Sequence, residues 1–152
     1  MSKIILSQKY ISSICKLALN EDLYPSGDIT TNLIKYGTNK SAKIISNEQG
    51  ILAGTDFVRH TFNLIDRKLI VSFKKKNGSI IKKGEVICVI QGEIKNILIG
   101  ERVALNFLSH ISGIATQTNK YLKIVKGKCK ICCTRKTTPT LRVIQKYAVR
   151  IG

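Results

Sequence analysis

The last third of this sequence contains no acidic residue. Residues 102–152 hold eleven Lys or Arg and not one Asp or Glu, and the whole chain of 152 residues carries a formal charge of +17. Such a half-chain attracts anions, with nucleic acid as the generic partner. Aromatic residues are scarce, however, at 6%. No RGG-like, zinc-finger or RNP-like pattern accompanies the charge, and this argues against nucleic-acid readout. Long apolar runs are also missing. No stretch approaches the roughly 18 residues of a membrane span, and the first residues open no signal-peptide pattern. A soluble cytoplasmic protein is expected. With hydrophobic residues at 43%, the chain can bury a real core in one domain or one domain plus a fragment.

Five cysteines, an odd number without a secretion signal, point to free thiols. Cys129, Cys132 and Cys133 include a C-x-x-C spacing. No second pair and no histidine cluster stands nearby to complete a zinc site. Small core residues in a buried strand over 130–133 are the expectation.

Taken in order, the pattern predicts an amphipathic helix over 7–20, capped by Ser7, with Tyr10, Ile11, Ile14, Leu17 and Ala18 on its apolar side. Glu21, Asp22 and Asp28 lie at helix ends and read as capping residues, Asp28 opening a short turn through Leu33. Strands are expected near 42–46, 69–73 and 85–90, with a short buried segment over 50–54. Thr55 is expected to cap a helix bearing Phe57, Val58, Phe62, Ile65 and a structural His60. Lys74–Lys75–Lys76 reads as an edge-strand solubility device before the turn at Asn77-Gly78. Residues 79–91 read as a hairpin turning at Lys83-Gly84.

The longest helix is expected over about 97–125, with Leu105, Leu108, Ile111 and Ile114 inward and Ser112-Gly113 as the place for a kink. His110 reads as a core residue. Beyond it, a polar loop at 134–138 precedes a helix with Thr138 as cap and Pro139 at its first position. Leu141, Ile144 and Ala148 form that helix's apolar face. Thr134, Arg135 and Lys136 offer a hydroxyl, a planar guanidinium and a point-charge ammonium to a carboxylate or phosphate.

The order of residues adds to this reading. "CTRKTTPTLRVIQKYAVRIG" and "GERVALNFLSHISGIATQT" resemble the quinolinate phosphoribosyltransferase family, with weaker likeness in "EDLYPSGDITTNLI", "GILAGTDF" and "GSIIKKGEVICVIQG". The resemblance implies an α/β fold: a hammerhead-like N-terminal α+β domain over 1–99, a linking helix over 100–126, and from 127 to 152 the opening strand–helix unit of an incomplete barrel. It implies transfer of a phosphoribosyl group from phosphoribosyl pyrophosphate to quinolinate, giving nicotinate mononucleotide, pyrophosphate and CO2 in NAD biosynthesis. Quinolinate binding falls to Arg102 and to Arg135 with Thr134 beside it. Lys136 falls to the shared anion site, and Mg2+ accompanies the donor. The implied assembly is a homodimer in which Arg102 reaches the neighbouring site. The family pattern continues past residue 152, so an incomplete copy is expected. The alternatives are a non-catalytic remnant or a basic nucleic-acid-binding protein.

Overall fold

The computed structural model describes residues 5–28, 31, 34 and 38–152. Its elements are α1 (Gln8–Asp22), β1 (Asn39–Ile45), β2 (Gly50–Ile51), α2 (Thr55–Ile65), β3 (Ile70–Phe73), β4 (Ile80–Ile81), β5 (Val86–Glu93), α3 (Ile94–Val125) and α4 (Arg142–Ile151). The mixed α/β class matches expectation. β5 is the centre of a three-stranded antiparallel sheet in the order β1-β5-β3. β1 lies against it from Asn39↔Glu93 to Ile45↔Val86, with a bulge between Ile44 and Ile45. β2 and β4 form a separate two-stranded ribbon. The expected hairpin over 79–91 is therefore absent: β4 turns away at Gly84 and pairs with β2, leaving β5 to β1 and β3. No helix among the described residues is long and apolar enough to cross a membrane.

α3 is the spine, because both halves of the core rest on it. One cluster joins Ile11 and Cys15 of α1, Phe57 of α2, Ile111 and Ala115 of α3, and Ile144, Tyr147 and Ala148 of α4. The other joins Val58 and Phe62 of α2 and Ile97, Ala104 and Leu108 of α3 to Ile87, Cys88 and Ile90 of the sheet. The helices approach closely at Gly100, where a Cβ would come within 2.8 Å of the Phe62 ring. At Gly54 the backbone has φ 93°, and a Cβ would meet Ile111 at 2.9 Å. Both the left-handed conformation and the contact demand glycine there. Gly54 holds the cap position of α2 in place of Thr55, which begins the helix and donates its amide to Asn77 Oδ1 at 3.2 Å.

Ser7 caps α1 as expected, its Oγ accepting from the Tyr10 amide at 3.2 Å. Leu17 is 62% exposed, because the buried stripe runs through Ile11, Cys15 and Leu19. Asp28 receives the Thr31 amide at 3.0 Å, as a cap does. The remainder of that expected turn lies outside the described residues. Glu21 and Asp22 are not caps: they occupy the last turn of α1, where a carboxylate gains nothing from the helix dipole. Lys75 does more than solubilise an edge, bonding Glu85 at 2.6 Å and the Ile80 carbonyl at 2.7 Å. That contact holds the Glu85 carboxyl below its ordinary pKa.

α3 runs without interruption through Ser112 and Gly113. Ser112 Oγ instead bridges the loop before α2, accepting from the Ala53 amide and donating to the Ala53 carbonyl, each at 3.0 Å. Ala53 is fully buried. Ser112→Ala strands both backbone groups, so a loss of about 1–3 kcal/mol is expected in urea unfolding. An unchanged midpoint would show that water replaces the hydroxyl.

Two expectations for the C-terminal part fail. Residues 130–133 form no strand, and Cys129, Cys132 and Cys133 are exposed. A strand is held by ladder partners, and none lies beside this segment among the described residues. The final helix begins at Arg142 rather than at Pro139. Pro139 and Thr140 form a turn in which Thr140 has φ 68°, a left-handed conformation that breaks helical phase. The apolar face of α4 is covered, with Ile144 and Ala148 at 1% and 0% exposure.

Candidate functional site

The loop over 134–138 is ordered by its own backbone and by α4. The Thr134 hydroxyl accepts from the Lys136 amide at 3.1 Å, and the Thr137 amide donates to the Arg135 carbonyl at 2.9 Å. Arg142, on the first turn of α4, reaches back to Thr137 Oγ1 at 3.0 Å and to the Arg135 carbonyl at 3.4 Å. Gln145 closes the far end. Its Oε1 accepts from the Thr138 amide at 3.1 Å and its Nε2 donates to Thr138 Oγ1 at 2.9 Å. The same Nε2 lies 3.4 Å from His110 Nε2 on α3. Thr138 is thus held by Gln145 instead of capping the helix.

These bonds use backbone and hydroxyl groups and leave the cations free. Among the described residues, the Arg135 guanidinium and the Lys136 ammonium have no hydrogen-bond or ion-pair partner, and both residues are exposed. A fixed loop presenting a bidentate fork and an adjacent point charge suits an anion with at least two oxygens. Thr134 is exposed beside them, its hydroxyl oriented by the Lys136 amide.

Arg102 is on α3, exposed and likewise without a hydrogen-bond or ion-pair partner among the described residues. Its neighbours Val103 and Asn106 line a cleft of about 570 Å³ between the end of α1, α3 and the start of α4. Glu21, Asp22, His110 and Leu141 complete much of its wall. No hydrogen bond links Arg102 to the loop over 134–138 among the described residues. Sequence reasoning found the cations but missed Arg142 and Gln145, which fix the loop. The available signal was their spacing on the first turn of a helix that follows directly. His110, expected in the core, is exposed, because the buried side of α3 runs through Ala104, Leu108, Ile111 and Ala115.

The buried titratable groups are elsewhere. Burial pushes the Cys15 and Cys88 thiols up to about 11. Tyr147 is pushed up to about 12, chiefly by burial and further by Asp56. Its hydroxyl accepts from Asn77 Nδ2 at 3.2 Å. His60 pairs with Gln8 Oε1, in keeping with a structural role. No group of three or more His, Cys, Asp or Glu stands together to hold a metal among the described residues.

Comparison with known proteins gives consistent results. A family model for the quinolinate phosphoribosyl transferase N-terminal domain matches residues 28–112, and one for the C-terminal domain matches residues 114–152. A probable nicotinate-nucleotide pyrophosphorylase (carboxylating) of Bacillus subtilis is 41% identical over 84% of this chain and 44% of that protein. Among solved structures, the nicotinate-nucleotide pyrophosphorylase of Francisella tularensis superposes with a TM-score of 0.93 at 33% identity. The match covers 100% of this chain and 54% of that one. NadC of Streptococcus pyogenes gives 0.91 at 37% identity, covering 96% and 53%. The chain spans about half the length of the relatives it matches.

Proposed function

The chain belongs to the quinolinate phosphoribosyltransferase family, and from that premise we propose that it serves phosphoribosyl transfer to quinolinate. The observation carrying this reading is the pair of partner-free cations, Arg135 and Lys136, on a loop fixed by Arg142 and Gln145. The ring nitrogen of quinolinate attacks C1 of the phosphoribosyl group, and pyrophosphate departs with the electron pair of the broken C–O bond. The carboxylate next to the nitrogen then leaves as CO2, and the ring carbon it vacates takes a proton. Arg135, with Thr134 beside it, grips the two adjacent carboxylates as a fork. Lys136 offsets charge growing on the departing pyrophosphate.

In this proposal Arg102 supplies a second fork to the site of a neighbouring subunit in a cytoplasmic homodimer. The organisation is an N-terminal unit of residues 1–99, a linking helix, and a barrel-opening unit from residue 127. Mg2+ prefers oxygen ligands and stays on substrate phosphates. The cations of the loop do not fit as its ligands, so Mg2+ belongs to the donor's phosphates, and the steps above rest on Arg135, Thr134 and Lys136 alone.

Incubating the chain with quinolinate, phosphoribosyl pyrophosphate and Mg2+ tests the reading directly. Nicotinate mononucleotide and pyrophosphate are expected in equal amounts. A second reading is binding without turnover. It predicts quinolinate binding by calorimetry with no nucleotide formed. Absence of both product and binding would sink both readings.

A further inference from the structure

Three exposed thiols stand in five residues directly before Thr134. Cys129, Cys132 and Cys133 are exposed and free, whereas Cys15 and Cys88 are fully buried. We propose that Cys129 and Cys132 are a reversible dithiol–disulfide pair, oxidised by an anionic low-molecular-weight disulfide, that sets the approach to the anion-binding loop. The link to the loop rests on the function proposed above; the pair itself does not.

Residues 129–133 make no hydrogen bond among the described residues, so no ladder or cap must break for them to turn. Three residue steps can reach up to about 10 Å, whereas a disulfide needs the Cα atoms at roughly 4.4–6.8 Å. Closing the pair therefore fixes the segment in a turn one residue short of the loop. Bonding the adjacent Cys132 and Cys133 would instead force a strained ring across one peptide. A metal is the weaker occupant, because no metal-holding group of His, Cys, Asp or Glu is assembled among the described residues. Charge selects the oxidant. Lys126, Lys128, Lys130, Arg135 and Lys136 flank the thiols along a stretch without acidic residues, a charge that concentrates an anion such as glutathione disulfide.

The exchange balances without another reactant. One thiolate attacks a sulfur of the small disulfide and displaces its first thiolate. The second cysteine thiolate then attacks the protein sulfur of the mixed disulfide and displaces the other. Two protein thiols lose two protons and two electrons, and the small disulfide becomes two thiols.

The test is peptide mapping of the native chain after treatment with glutathione disulfide and alkylation. Trypsin cuts after Lys128, Lys130 and Arg135, so the expected product is Cys129-Lys130 joined to the peptide over 131–135, and dithiothreitol should release it. The link should survive Cys133→Ser and vanish in Cys132→Ser. Glutathione adducts alone, or a link persisting in Cys132→Ser, would overturn the pair. Pyrophosphate affinity of reduced and oxidised chain, by calorimetry, should differ by about fivefold or more. Equal affinities would overturn the coupling to the loop. A reduced chain that fails to bind pyrophosphate would overturn it too and count against the proposed function, while the disulfide stands on the mapping alone.

Discussion

Replacing Phe57 by alanine is expected to remove about 3–5 kcal/mol of stability. Total stability is typically only about 5–15 kcal/mol, so the variant should unfold at a much lower urea concentration. The side chain is 1% exposed, and its ring stands 5.1 Å from that of Phe107 on α3. It fills the space where α1, α2, α3 and α4 converge. Its carbonyl accepts from Thr61 Oγ1 at 2.8 Å and from the Cys15 thiol at 3.5 Å, so the surrounding backbone cannot readily collapse into the void. Leu17→Ala, at an exposed position, should shift the midpoint within about 0.5 kcal/mol. Equal effects at the two sites would show that the four helices do not share one core.

Arg135→Ala is expected to weaken quinolinate binding by about 10- to 100-fold, the range of one or two charge-assisted hydrogen bonds. Arg135→Lys should rescue little, because an ammonium cannot span two carboxylate oxygens as a planar fork does. Thermal unfolding of both variants should match the parent, since the exposed guanidinium makes no hydrogen bond or ion pair among the described residues. Isothermal titration with quinolinate reads the effect. A variant that binds as tightly as the parent would remove Arg135 from the site.

The parts of the fold visible in the sequence are those set by local chemistry. Ser7 announces α1 through its own hydroxyl, and the β-branched runs of β1, β3 and β5 announce the sheet. What escaped was set by distant partners. Thr55 has the composition of a cap, but Gly54 takes that position because Ile111 leaves no room for a Cβ. Thr138 and Pro139 carry every local sign of a helix start, yet Gln145 claims Thr138 and the helix begins at Arg142. The strand expected over 130–133 is absent because its composition suits a strand but no neighbour among the described residues supplies the ladder. At the site, the residue types of Thr134, Arg135 and Lys136 were legible. Their immobilisation by Arg142 and Gln145 was not, because it depends on a side chain folding back along the chain.

The place of β5 between β1 and β3 has a consequence for the growing chain on the ribosome. β1 emerges early, but Asn39 finds its partner only at Glu93 and Ile45 at Val86. At roughly 5–20 residues per second, β1 waits several seconds with no neighbour on either edge. β3 waits less, its Phe73 facing Cys88. The strand that waits longest carries Lys40 and Lys43, charges that discourage pairing with the same strand of another nascent chain. Lysine in β1 thus guards both edges of the strand until β5 is made, and the outer edge from then on.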